Sequence, residues 1–230
     1  MKILAMDTAA MGYGVALVED GRVLAQFEGT RSKSHGRHLM DAVREVLEQA
    51  DCGPTDIQGV AVTAGPGSFT GLRIGIASAK GLASALDIPV YGVSTLQALA
   101  HSVGPWDMAI QAAIDARKGQ VYAARFRLGA KGLNRETPES AMDPEQWIEE
   151  ITEDSLFVGD GSALYSEIVK SRLGNKAVFA PEFLNRINII TVANIARDAF
   201  EQGRAGTAGD LKATYVRKSD AKLPKAPLPV

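Results

Sequence analysis

Thr63-Ala-Gly-Pro-Gly-Ser-Phe-Thr-Gly-Leu-Arg-Ile-Gly75 follows an apolar, β-branched run (Ile57, Val60, Val62) and leads into a long segment whose only breakers are glycines. Gly65, Pro66 and Gly67 predict a tight turn, and Ser68 or Thr70 can cap the first free N–H groups of a following helix. A strand, a glycine turn and a helix start aim unpaired backbone donors and the positive end of a helix dipole at one spot. An anion, usually a phosphate, suits that geometry. The loop is neither GxxxxGK[ST] nor GxGxxG, so both readings stand here: a phosphate cradle, or a turn in which glycine serves backbone shape alone.

The helix expected downstream, Phe69 to Leu86, has Arg73 and Lys80 as its only charged residues. It is rich in small residues, among them Gly71, Gly75, Ser78, Ala79 and Gly81. Glycine inside a helix costs about 1 kcal/mol relative to alanine. Close packing on two sides is the expected compensation: one face on a sheet, the other on a second subunit.

Upstream, Ile3-Leu-Ala-Met6 reads as a strand buried on both faces, ending at Asp7-Thr8. Gly14–Val18 and Arg22–Phe27 flank Asp20-Gly21, a hairpin signal. Leu39, Val43, Val46, Leu47 and Ala50 form one apolar face of a helix over about 35–50, stopped by Gly53-Pro54. Ser94-Thr-Leu-Gln97 is a capping box after a short strand. Beyond Gly104-Pro105, strands are expected at 108–114 and 120–128, around the polar turn Asp115-Ala-Arg-Lys-Gly119. A capped helix carries Trp147 and Ile148, and Leu156-Phe-Val158 precedes Gly159-Asp-Gly161. Val192, Ile195, Ala196, Ala199 and Phe200 mark a last amphipathic helix. The order points to α/β architecture in two lobes, 1–103 and 104–220, followed by a proline-rich tail at 221–230.

The bulk numbers exclude some roles. The 230 residues are 46% hydrophobic and 23% charged, as in ordinary globular proteins. With 25 basic and 27 acidic side chains the formal net charge is −2, which argues against tight, independent nucleic-acid binding. Cys52 is the only cysteine, so no intrachain disulfide can form. No apolar run approaches the ~20 residues of a membrane span. A cytoplasmic location is expected.

Ile3-Leu-Ala-Met-Asp7-Thr8-Ala together with the 63–75 motif resembles the TsaB (YeaZ) family, bacterial subunits of the machinery that makes threonylcarbamoyladenosine in transfer RNA. Ser34-His35, Ser94-Thr95-Leu96, Ile114-Asp-Ala-Arg-Lys-Gly-Gln-Val-Tyr122 and Tyr215-Val-Arg217 match as well. The likeness is dense over 1–125 and thinner beyond. It implies an actin-like, sugar-kinase-like ATPase (ASKHA) fold of two RNase-H-like lobes with mixed sheets. It also implies a non-catalytic subunit that docks on the catalytic paralogue TsaD, which transfers threonylcarbamoyl from its adenylate to adenosine N6. A small ATPase, TsaE, is the further partner implied; the chain alone is expected to be a homodimer, meeting tRNA only through the complex. The partner-binding helices fall on 35–50 and 69–86. The interface expected there comprises His35, Leu39, Gly71, Leu72, Gly75, Ile76, Ser78, Ala79 and Leu82, where Gly75→Leu or Ala79→Arg should break association without unfolding the lobe.

Asp7, Thr8, Gly65, Gly67 and Ser68 are the nucleotide-binding candidates, since actin-like ATPases place a phosphate-loop carboxylate and hydroxyl at that strand end. Ala9, Ala10 and Met11 stand where such loops carry further glycines. No cofactor is therefore expected within this chain, with ATP or ADP at a subunit junction. No metal is expected either: His35 and His38 are spaced HxxH, whereas the paralogue holds metal with HxxxH. No residue is assigned to catalysis. The competing reading is a free-standing actin-fold ATPase or phosphotransferase using Asp7, Thr8 and the 65–68 loop.

Overall fold

In the computed structural model of the chain, residues 1–10, 12–29, 35–130 and 132–217 are described, with backbone alone at 35–37. Ser34 and the 221–230 tail lie outside these residues. Three strands open the chain: β1 (Lys2–Asp7), β2 (Tyr13–Glu19) and β3 (Arg22–Gly29). Asp20 and Gly21 join the last two with positive φ, 48° and 84°, the conformation a tight hairpin turn requires. Helix α1 (His35–Gln49), β4 (Gly59–Gly65), α2 (Phe69–Leu86), β5 (Val90–Ser94) and α3 (Thr95–Ser102) follow. The sheet order is β3-β2-β1-β4-β5. β1, β2 and β3 pair antiparallel, while β4 and β5 run parallel to β1.

The second half holds β6 (Ala109–Arg117), β7 (Gln120–Gly129), β8 (Gly132–Arg135), β9 (Ser140–Met142), α4 (Pro144–Glu149) and β10 (Ser155–Val158). It closes with α5 (Asp160–Leu164), α6 (Ser166–Leu173), β11 (Ala177–Phe179) and α7 (Ile189–Glu201). Its sheet order is β11-β10-β6-β7-β8, with β9 paired to β7. Here too a central strand, β6, carries an antiparallel meander on one side and parallel strands on the other. The same topology thus occurs twice without a detectable sequence repeat. Two RNase-H-like lobes in tandem constitute the α/β, actin-like and sugar-kinase-like fold.

Both sheets are covered on both faces, which accounts for the continuous apolar runs of β1, β4 and β6. Leu4, Met6, Val15, Leu17, Val60 and Val62 face α1 and α2. Ile3, Ala5, Ala16, Val18 and Ala61 face α7. In the second lobe, Ile110, Ala112, Phe126 and Leu156 pack on Leu96 and Leu99 of α3. Ala113, Val121, Ala123 and Phe157 pack on Trp147 of α4 and Val169 of α6. The layers therefore run α1/α2, first sheet, α7 and α3, second sheet, α4/α6. A division of the chain near 104 separates the two sheets but not their covering: α7 lies on the first sheet, Gly206 bridges to Val90, and Leu211 joins the first core.

Candidate functional site

The end of β1 is clamped to β4 and α2. Thr63 Oγ1 donates to Asp7 Oδ1 at 2.6 Å, and Ala9 N donates to the same oxygen at 2.9 Å. Thr8 Oγ1 donates to the Gly71 carbonyl at 2.7 Å, and Ser68 N to the Ala9 carbonyl at 2.7 Å. Ser68 Oγ accepts from Gly71 N at 3.3 Å, so of the two possible caps, Ser68 and Thr70, it is Ser68 that caps α2. Burial pushes the Asp7 carboxyl above its ordinary 3.8, against the pull of the Thr63 hydroxyl and nearby N–H groups.

These contacts explain the glycines. A Cβ on Gly71 would stand 1.9 Å from the Thr8 carbonyl oxygen, and one on Gly75 would stand 2.4 Å from Thr8 Oγ1. One on Gly67 would meet the Ala9 oxygen at 2.4 Å. Gly65 takes φ +116° before a cis bond to Pro66. The small residues let the start of α2 lie directly on the end of β1. Asp7 and Thr8, 7% and 3% exposed, are tied into this joint.

Between the lobes opens a cleft of about 310 Å³, floored by Ala9, Gly67, Ser68 and Phe69 on one side and Asp115, Arg117, Tyr122, Asp160 and Arg217 on the other. Gly67 and Ser68, of the nucleotide candidates, line it; Asp7, Thr8 and Gly65 do not. Asp115 N donates to Asp160 Oδ1 at 3.0 Å, and the Asp115 carboxylate pairs with Arg117 at 3.0 Å. Burial, then the neighbouring Asp115 charge, raises the Asp160 pKa, with backbone N–H groups and Arg117 opposing. Arg217 donates to the Ala116 carbonyl at 3.1 Å and to Gln120 Oε1, and lies over the Tyr122 ring. The Asp115 turn is thus an edge of the cleft. The second lobe repeats the first lobe's joint: a Cβ on Gly159 would meet the Ala113 oxygen at 2.2 Å, and one on Gly161 the Ile114 backbone at 2.6 Å. Asp160 and Arg217 were not among the residues expected at a site. Their signals were the Gly159-Asp-Gly161 turn after a buried strand and the Tyr215-Val-Arg217 motif.

The helical face requires a correction. Leu39, Gly71, Leu72, Gly75, Ile76 and Ala79, all expected at a partner interface, are buried in this chain's own core. Only Ser78 and Leu82 of that set are partly exposed, and the His35 side chain lies outside the described residues. Gly75→Leu or Ala79→Arg would disrupt the lobe itself, because these positions meet Thr8 and the sheet. The outward face of α2 is instead Arg73, Ala77, Gly81, Ser84 and Ala85. At its start Phe69, 45% exposed, packs on Tyr215 at a ring separation of 5.3 Å. Arg73 lies 3.8 Å over the Phe69 ring and donates to the Tyr215 hydroxyl at 3.3 Å.

Among the described residues no three His, Cys, Asp or Glu side chains gather as a metal site. No described helix is long and apolar enough to cross a membrane.

Two RNase-H-like lobes around a central cleft place the chain in the actin-like, sugar-kinase-like class. A family model described as "TsaD: tRNA N6-adenosine threonylcarbamoyltransferase" matches residues 23–222. The chain is 36% identical to a Bacillus subtilis protein named tRNA threonylcarbamoyladenosine biosynthesis protein TsaB, over 76% of this chain and 78% of that one. The Escherichia coli protein of the same name is 33% identical, with 97% and 99% covered. YeaZ from Pseudomonas aeruginosa superposes with a TM-score of 0.78 at 28% identity, covering 93% of this chain and 99% of that one. The chain belongs to the TsaB (YeaZ) family, whose named members act in tRNA threonylcarbamoyladenosine biosynthesis.

Proposed function

We propose that the chain is a non-catalytic subunit of the tRNA threonylcarbamoyladenosine machinery, docking on a TsaD-type catalytic paralogue through the outward face of α1 and α2. The observation that carries this is Gly81. Gly71 and Gly75 are explained by Thr8, but a Cβ on Gly81 would meet nothing within 4 Å. An exposed mid-helix glycine costs about 1 kcal/mol against alanine, so its use is close approach by something outside the chain. Ala77, Ser84 and Ala85 continue that face, and Phe69 with Tyr215 gives it an aromatic end.

On this reading the same face forms the homodimer of the isolated chain, so self-association and docking compete. A TsaE-type ATPase joins the assembly, ATP or ADP sits at a junction between subunits, and tRNA is reached through the complex in the cytoplasm. Asp7 and Thr8, held inside the β1–α2 joint, support a structural rather than a phosphoryl-transfer role.

Light scattering after size exclusion tests the reading, using the chain alone and mixed with the TsaD-type paralogue of the same cell. The expected result is a heteromer that Gly81→Arg abolishes while the variant keeps its far-ultraviolet spectrum and melting temperature. A chain that ignores the paralogue overturns it, and so does a Gly81→Arg variant that binds as well as the parent. Micromolar Mg-ATP binding to the isolated chain would favour the free-standing ATPase instead.

A further inference from the structure

The exposed stripe of α2 runs through Arg73, Ala77, Gly81 and Ser84, at spacings that put all of them on one side of the helix. Arg73 is the one charged residue of that stripe, and no Asp or Glu occurs anywhere between Phe69 and Leu86.

The Arg73 side chain is held from two directions. Its guanidinium carbon lies 3.8 Å over the Phe69 ring, and its Nε donates to the Tyr215 hydroxyl at 3.3 Å. Tyr215 is fixed in turn: its ring packs on Phe69, Thr214 N donates to the Ala64 carbonyl at 2.7 Å, and Leu211 enters the core of the first lobe. With Nε occupied, the two terminal amino groups remain as a fork, the edge of a guanidinium that grips both oxygens of one carboxylate. Arg117, Arg125 and Arg127 each meet a carboxylate of this chain, at 3.0, 2.9 and 2.7 Å. Among the described residues Arg73 meets none. A long, exposed side chain ordinarily gives up rotamer freedom on binding, and here the ring and the hydroxyl have already taken it.

We infer that Arg73 is an anchor for one carboxylate of the docking partner, an Asp or Glu on a helix whose facing side is otherwise small and apolar. The inference rests on the docking face proposed above and names the chemistry of what meets it. Ala77, Gly81 and Ser84 let the partner's backbone come close, and the Arg73 fork closes on the carboxylate near the start of α2. RNA phosphate suits the face less well. Lys80, the other cation of α2, is offset by Asp210, so the helix offers one open charge rather than a basic track.

Calorimetry with the TsaD-type paralogue of the same cell tests this on the full chain, at about 50 and 500 mM salt. The melting temperature of each variant is compared with the parent's. Arg73→Lys should weaken binding at least about tenfold although the charge remains, because an ammonium has no fork. Arg73→Glu should abolish binding, and Arg73→Ala should flatten the salt dependence. Tyr215→Phe should weaken the parent about threefold and have no effect in the Arg73→Ala background, since the hydroxyl acts through Arg73. If Gly81→Arg blocks docking but Arg73→Lys and Arg73→Glu bind like the parent, the docking face stands and the carboxylate anchor is overturned. If the parent itself does not bind the paralogue, the docking reading falls and the anchor with it. Binding of tRNA by the chain alone, lost in Arg73→Ala, would assign the fork to phosphate and overturn the inference as well.

Discussion

Glycines with the same name have opposite roles in α2. At Gly71 and Gly75 an added methyl meets the Thr8 backbone or hydroxyl, neither of which can move without breaking the β1–α2 joint. Gly75→Ala should therefore destabilise the chain by about 1–3 kcal/mol, as overpacking does. Gly81→Ala should stabilise the monomer by about 0.5–1 kcal/mol, since open space receives the methyl and helix propensity improves. Urea unfolding of the two variants checks the contrast; equal effects would mean that the joint is not the reason for the glycine. Asp7 gives a pH signature. A carboxyl with a folded pKa above its unfolded one binds more protons when folded. Its contribution is full below about pH 3.9 and is lost as pH rises through the raised folded value. The stability of the parent minus that of Asp7→Asn should thus fall as pH rises from about 4. A difference that stays flat or climbs would show that Asp7 is not raised.

At the scale of the element, α2 shows how far pattern carries and where it stops. Its limits, a cap at Ser68 or Thr70 and its burial against the sheet were legible in 63–86; the structure settles the cap on Ser68. The identity of its inward face was not. Both the 71-75-79 stripe and the 77-81-84 stripe consist of small residues, so hydrophobic periodicity has no contrast to read. The strand end at Thr8 decided which stripe turned inward, because only there does a carbonyl sit where side chains would stand. Removing the cap with Ser68→Ala should cost about 1 kcal/mol. The loss should be local, with faster amide exchange at Gly71 and Leu72 than at Ala83; uniform loss along the helix would contradict a role confined to the cap.

For the molecule as a whole, the first lobe is completed by the end of the chain. Ile3, Ala5, Ala16, Val18 and Ala61 are covered by α7, and Leu211 enters the core between α2 and the sheet. A fragment of residues 1–104 should therefore expose one whole sheet face, bind a hydrophobic dye and lack a cooperative melt. Joining 187–217 back to it should restore one. A cooperatively folding 1–104 fragment would show that the covering is dispensable. Leu211→Ala in the full chain should cost about 2–5 kcal/mol, the range for emptying a packed leucine site.

Local chemistry alone determined a good deal: the strand, glycine turn and helix of 57–86, the Asp20-Gly21 hairpin, the capping box at Ser94, and the match of motifs that marks the family. These are set by residues within a few positions of one another, where propensity, capping and periodicity act directly. The tertiary structure decided what those pieces meet. It repeated one sheet topology in two halves that share no visible repeat, because strand order depends on long-range pairing rather than residue identity. It turned Asp7 and Thr8 into the chain's own joint and brought Arg217 across to Asp115 and Tyr122. Contacts between distant segments fix burial and hydrogen-bond satisfaction, and nothing in the spacing of residues along the chain encodes them.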